Sequence, residues 1–422
     1  MSDGAGDDDL RIDVGTNNRQ RLVRHLLKRT AVVVVLLGVW YVTRPLWHGL
    51  VYSMLFSPSA MVLLGGSLVT ALVLWYYPPW RIEADNDDER SGGIIDDSDD
   101  EFPLEVTPGG LFGGGGAGGR KLQRFTSVVA VLFVLSILVG IPAGPLEQRT
   151  LAAQTMADAT EVAEFPSVNP DNPRVVPRQV SDIATSGSVS YRQHRLGASD
   201  IARTQNGSLA WSYAIEPDGF RNQVIENQRG VLVADMTELD ERQVNVYDQE
   251  FTYGQGMFLY RSADWQLKST DYLAEYNDEP VEFSYEGQPY MYYPKTAHEW
   301  HLAPFPHTTP TWKGGALVHT NGTVEHLSPE EAQSHPVLDG QRFYPLTLTQ
   351  AEMESLNYRN GIINQLPVVG AHENEVEVAG LPASAENSQP FVIDLEGEQM
   401  SYVTALEPYG TDTRGLDEVW FV

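Results

Sequence analysis

FTSVVAVLFVLSILVGIP, from Phe125 to Pro142, runs without a charged side chain. Its length approaches the ~20 residues that a helix needs to cross a bilayer. Its reading settles the architecture. If it crosses, everything after Pro142 lies on the opposite side from the chain start, given two crossings before it. Two apolar runs do precede it, AVVVVLLGVWYV (Ala31–Val42) and AMVLLGGSLVTALVLWYY (Ala60–Tyr77). The first reaches spanning length if it continues through TRPLWHGLVY, with the stem of Arg44 snorkelling to water. Trp40, Tyr41, Trp47, Tyr76, Tyr77 and Trp80 stand at the ends of the runs, where interfacial aromatics collect. The sequence therefore predicts three transmembrane helices.

Orientation follows from basic residues, because cytoplasmic flanks carry the excess of Lys and Arg. Arg19, Arg21, Arg24, Lys28 and Arg29 precede the first run, and Arg120, Lys121 and Arg124 precede the third. Only Arg149 competes just after it. The expected plan is a cytoplasmic tail (1–30), two transmembrane helices (31–77), a cytoplasmic linker (78–124), a third transmembrane helix (125–145), a helical stem (146–165) and an extracellular domain (166–422). The localisation expected is a multi-pass cell-membrane protein with its C-terminal domain outside. A cleaved signal peptide is not expected, since Arg44 and another apolar run follow the first, without a small-residue cleavage site.

The glycines of GGLFGGGGAGGRKLQR (Gly109–Arg124) raise the question of a phosphate loop. Such a loop follows a strand and ends in GK followed by Ser or Thr, so that amides and the Lys meet the phosphates. Here Leu122 follows Lys121, and the stretch is preceded by DDSDDEFPLEVTP. A flexible linker ending in a positive anchor is the expected reading.

The 422 residues include 28 basic and 57 acidic ones, a formal charge of -29. That balance argues against a nucleic-acid partner, whose phosphates attract clustered Lys and Arg. Only Lys28, Lys121, Lys268, Lys295 and Lys313 are lysines. A scattered acidic surface with few lysines resembles proteins of extreme halophiles. The absence of cysteine removes disulfides, thiolate metal sites and cysteine nucleophiles, leaving His, Asp and Glu for any metal. No cofactor is expected.

Beyond the stem, GPLEQRTLAAQTMADATEVAEF, the residues Asp171, Asn172 and Pro173 mark a boundary. The remainder reads as an α+β domain, mostly antiparallel, from its short β-rich runs and Asn-Gly and Glu-Gly turns. Three stretches look alike: Ile201–Gly219, Val281–Thr296 and Phe391–Gly410, each a strand, a glycine turn and an aromatic or β-branched strand. Further strand signals follow from Arg229, Gly314 and Arg414. Repeated hairpin units are expected. This pattern resembles the PepSY-type module of extracytoplasmic proteins. The wider order resembles uncharacterised multi-pass membrane proteins of haloarchaea, including those of plasmids and proviruses. Helices are expected from Ser328, with Pro329 first and Glu331 closing a capping box, and from Thr349, with Glu352 in the same role and a stop at Gly361.

Candidate chemistry centres on histidine: His298, His301, His307, His319, His326 and His335 are close in sequence. A metal would use His298, His301, His319 and His326. HEWH lacks the four-residue spacing that puts two ligands on one helix face, and Pro304, Pro306 and Pro310 break the stretch after it. His319 and His326 flank the Asn321-Gly322 hairpin and by strand alternation should share a face. No GxSxG elbow occurs. Asn206 and Asn321 head glycosylation sequons, both on turns. PYMYYP (Pro289–Pro294) reads as a strand whose alternate members face a core, with an exposed ligand platform as the alternative.

The leading expectation is a membrane-anchored extracytoplasmic binding or assembly protein of the cell envelope, with a protein partner there and the lipid bilayer as its surroundings, and no catalytic motif. The alternatives are an extracytoplasmic metal-binding protein or metal-dependent hydrolase using the His298–His335 region, and an envelope protein of a virus or mobile element. A transporter would have to oligomerise, as the spans lack intramembrane carboxylates.

Overall fold

The computed structural model describes residues 14–77, 117–170, 172–188, 191–237, 243–276, 278, 280–366, 372–381, 389–396, 400–410 and 415–422. They fall into two compact units, one of Met1–Thr43 with Ser59–Ile137, the other of Arg44–Pro58 with Leu138–Val422. Most of the expected linker, 78–116, lies outside the described residues.

Three helical stretches are long and apolar enough to cross a membrane: Arg19–Phe56, Pro58–Tyr76 and Leu122–Asp158. The first is interrupted. Helix α1 (Val14–Thr43) ends before a 3-10 turn at Arg44–Trp47, and α2 (His48–Phe56) follows. TRPLWHGLVY continues the first helical stretch, but through the 3-10 turn and α2 and not as regular α1. Pro45 sits in the turn, and His48 and Tyr52 are buried in the second unit. α1 also extends upstream of the apolar run, to Val14. In the first unit Gly66 of α3 (Pro58–Tyr76) lets Leu132 of α4 (Ala117–Asp158) approach, since a Cβ there would fall 2.9 Å from its methyls. Close approach at small residues is how apolar helices pack in lipid. The Arg29 guanidinium lies 3.8 Å over the Trp75 ring. Val34, Val35, Leu36, Leu68, Val69 and Leu138 remain exposed.

The stem differs from expectation. α4 is continuous through Pro142 and Pro145 and ends at Asp158, so span and stem are one helix and 159–165 is not helical.

The second unit is a mostly antiparallel β domain of three sheets. α5 (Arg178–Ser186) precedes the first, a meander of β1 (His194–Arg203), β2 (Leu209–Pro217), β3 (Gly230–Asp235) and β4 (Val244–Asp248). α6 (Phe220–Ile225) connects β2 to β3, and α7 (Ala263–Thr270) leads to the second meander. That sheet comprises β5 (Val281–Tyr285), β6 (Gln288–His301), β7 (His307–His319) and β8 (Val324–Leu327). In the third, β9 (Val376–Val378) and β10 (Phe391–Asp394) pair with β11 (Met400–Pro408), which also pairs with β12 (Glu418–Phe421).

Every residue of β2 is buried, because both faces of the first sheet are covered. Trp211, Tyr213 and Ile215 pack with Leu232, Val176 and Met400 on one side. Ala210, Val231 and Val233 pack on the other with Met291, Tyr293, Ala316 and Val318 of the second sheet and Leu267 of α7. The second sheet's far face adds Phe283, Tyr292, Leu317 and Leu338. PYMYYP therefore alternates between two cores, and Tyr292 donates its hydroxyl to the Phe343 carbonyl at 3.1 Å. Each such buried aromatic stabilises the fold by about 1.5–3 kcal/mol. α8 (Pro329–Ser334) has the expected capping box between Ser328 and Glu331. α9 (Leu346–Ser355) starts three residues before the expected Thr349 and has no side-chain cap, because Glu352 accepts from the Tyr344 hydroxyl instead.

Candidate functional site

The histidines separate once the strands pair. His298 and His301 are three apart on β6 and so face opposite ways. His298 Nδ1 lies 3.1 Å from the Tyr52 hydroxyl of α2 and 3.7 Å from Glu275. On the other face the His301 ring stacks on His307 with centroids 5.0 Å apart, and its Nε2 meets Thr309 Oγ1 at 2.8 Å. His307 Nδ1 is 2.8 Å from the Phe305 carbonyl, which can only accept, so Nδ1 carries a hydrogen, and Nε2 lies 2.9 Å from Thr150 Oγ1 of α4. His307 is deeply buried between these two contacts.

The expectation that His319 and His326 share a face is corrected by the turn between β7 and β8. It spans three residues, Thr320 to Gly322, closed by His319 N to Thr323 O, with Gly322 at φ 88°. A two-residue Asn-Gly turn would have put His326 beside His319. The extra residue shifts the register by one and turns His326 to the opposite face. Glu325 takes the place beside His319, at 3.3 Å, and His335 approaches it at 3.7 Å. His326 Nε2 meets Thr270 Oγ1 at 2.8 Å. Burial lowers the pKa of His298 and, with Lys295 adding to it, that of His326. The four candidate metal ligands thus do not converge. Among the described residues no group of three or more His, Asp or Glu is placed to hold a metal.

A cationic pair that sequence reasoning missed lies beside His326. β6 and β7 shift register between Pro294 and Thr296, where Lys313 and Gly314 oppose Lys295. This bulge aims both lysines at Asp271, at 3.5 Å for Lys295 and 3.0 Å for Lys313. Burial lowers the pKa of Lys295, and bonding and attraction to the two lysines outweigh burial in lowering that of Asp271. Two of five lysines in one strand pair was the only signal in the sequence.

The concave candidate is a cleft of about 570 Å³ where the three sheets meet. Its walls are the β1–β2 turn (Arg203, Thr204, Gln205, Gly207), the end of β5 (Ser284, Tyr285, Glu286), the loop from Val337 to Gln341, and Asp394 with Leu395. With its amide oxygen turned inward, Gln205 accepts from Glu286 N at 2.8 Å, so hairpin turns of the first two sheets touch. Arg203 forms an ion pair with Asp394 of β10, which also accepts from Asn169 at 3.0 Å and Asn172 at 2.7 Å. Arg203 Nε donates to the Gly340 carbonyl at 2.9 Å. Arg342 makes a second tie between sheets, to Asp200 and, at 2.8 Å, to the Tyr402 hydroxyl. The Ser284 hydroxyl in the cleft wall is buried without a hydrogen-bond partner. The lining has no histidine or lysine, and its ionisable side chains are Arg203, Tyr285 and the carboxylates Glu286, Asp339 and Asp394. It suits recognition of a polar ligand, with Tyr285 as its aromatic wall. Asn206 and Asn321 are exposed on their turns.

No family model matches the chain, and no curated protein and no solved structure is significantly similar to it.

Proposed function

We propose that the chain is an integral membrane protein that carries its β domain on the outer side of a cell membrane and acts by binding a component of the cell envelope. One observation supports this above others. Arg44–Pro58, between the first two apolar helices, and the end of α4, after the third, are both built into the β-domain unit. Segments packed in one domain share one side of a membrane. The basic clusters at Arg19–Arg29 and Arg120–Arg124 flank the opposite helix ends, so an outward domain agrees with the positive-inside bias.

The cleft where the sheets meet is the surface we assign to binding, on its size and its unpartnered Ser284 hydroxyl. We read β1–β3 and β5–β7 as copies of one PepSY-like unit, each a hairpin followed by a third strand that carries glycine, at Gly230 of β3 and Gly314–Gly315 of β7, although α6 joins one pair and a long hairpin the other. The acidic, lysine-poor composition fits a surface hydrated in concentrated salt.

Because the chain lacks cysteine, orientation can be tested with single cysteines. Asn321→Cys should react with a membrane-impermeant maleimide in intact cells and Gln20→Cys only after permeabilisation. The reverse pattern refutes the outward domain. Binding is tested by crosslinking in membranes kept in high salt. A stoichiometric envelope component held by wild type and lost in the cleft-filling Ser284→Trp supports the assignment, and one held equally by both removes the cleft from it.

A further inference from the structure

We propose that the tip of the β6–β7 hairpin, Trp300–His307, is a lipid-contacting anchor seated in the interfacial layer of the bilayer. It rests on the membrane-spanning reading above. The tip exposes three large apolar side chains, Leu302 at 75%, Phe305 at 56% and Trp300 at 36%. Clustered apolar exposure on one loop marks a surface that meets something other than water.

Contacts within the β-domain unit identify what it meets. On one face of the hairpin α2 runs alongside β6. His48 of α2 is 3.0 Å from the Ala274 carbonyl, Tyr52 and Phe56 contact His298, and Thr308 Oγ1 donates to the Phe56 carbonyl at 2.7 Å. Thr308 pairs with Trp300 at the tip. Moving along α2 toward its C-terminus is therefore moving along β6 toward its tip. Two residues beyond Phe56, at Pro58, the chain begins the apolar helix α3. On the opposite face His307 bonds Thr150 of α4. Thr150 lies about 12 Å along that helix from Pro142, where the third apolar run ends. Both elements that clamp the hairpin thus lead directly to apolar helices.

Charge agrees. Trp300–Trp312 contains no Asp or Glu, in a chain with 57 of them. An acidic coat interrupted at this loop removes repulsion from anionic headgroups, and Trp and Phe suit the interfacial layer.

The test uses the full chain in liposomes, with an environment-sensitive fluorophore on Leu302→Cys. Asn321→Cys, on the exposed β7–β8 turn, and Leu68→Cys, on α3, serve as references. The label at 302 should be shifted to the blue relative to 321, quenched by nitroxide lipids as at 68, and protected from aqueous iodide. Iodide quenching at 302 equal to that at 321 overturns the proposal. So does a label at 302 that neither quencher reaches, because a second protein copy would then cover the tip. If 68 also escapes the nitroxide lipids, the membrane-spanning reading falls and the anchor with it. Quenching at 68 without quenching at 302 removes the anchor alone.

Discussion

Asp394→Ala should be among the most damaging single changes in the β domain. Its side chain is 1% exposed, and its two oxygens receive Arg203, Asn169 and Asn172. Arg203 is itself only 14% exposed, so losing the carboxylate strands a guanidinium in a poorly solvated site. Breaking a buried pair on one side costs about 3–5 kcal/mol, because the remaining charge keeps its desolvation penalty. For a unit of this size that corresponds to a fall of roughly 10 °C in the unfolding midpoint. The assay is thermal and urea unfolding of the full chain in detergent, followed by fluorescence of Trp211 in the first sheet and Trp420 in the third. Asp218→Ala is the comparison, since its 4.0 Å pair with Arg195 is exposed on both sides. That change should cost about 0.5 kcal/mol or less. Arg203→Met with Asp394→Leu should recover much of the loss, because no unpaired charge remains. If Asp394→Ala unfolds within experimental error of Asp218→Ala, or the double variant is no better than the single one, the pair is not the clamp described.

Three further outcomes are expected. Burial pushes the Glu352 carboxyl up to about 7 from 4.5. A raised folded-state pKa makes the contribution full below about 4.5 and lost as pH climbs through about 7, so Glu352→Gln should gain about 2 kcal/mol over wild type above that window. Parallel stability curves of the two proteins from acid to mild alkali would rule this out. Asp271→Asn leaves Lys295 and Lys313 facing each other and should cost about 3 kcal/mol, partly restored by adding Lys295→Met; no restoration would show that the lysines are not the source. Gly314 and Gly230 have φ of 77° and 115°, and a Cβ would overlap the Leu327 and Tyr247 carbonyls. Ala at either should cost more than about 2 kcal/mol, whereas Ala at Gly187, in open space, should change little. Equal urea midpoints for all three would contradict the backbone geometry.

Much of the architecture was legible because it depends on patterns only a few residues long. Composition alone marked the apolar helices, alternation marked the strands, and Ser328, Pro329 and Glu331 marked α8. Glycine at Gly207 and Gly322 marked turns but not their length. One residue in the turn decided which of Glu325 and His326 faces His319, and so dispersed the histidine site. Helix formers continue past Asp158 while the chain there leaves the helix, so composition alone overextends the stem.

What the sequence by itself determined is the class: apolar helices, a basic-flank bias, and a cysteine-free, acidic β-rich domain. Tertiary structure alone decided that α2 belongs with the β domain, that Lys295 and Lys313 share Asp271, and that the sheets meet in a polar cleft. Hydrophobic periodicity is local and repeats, so it can be read along the chain. Polar partners are single residues that meet only after packing, as Arg203 meets Asp394 from 191 positions away.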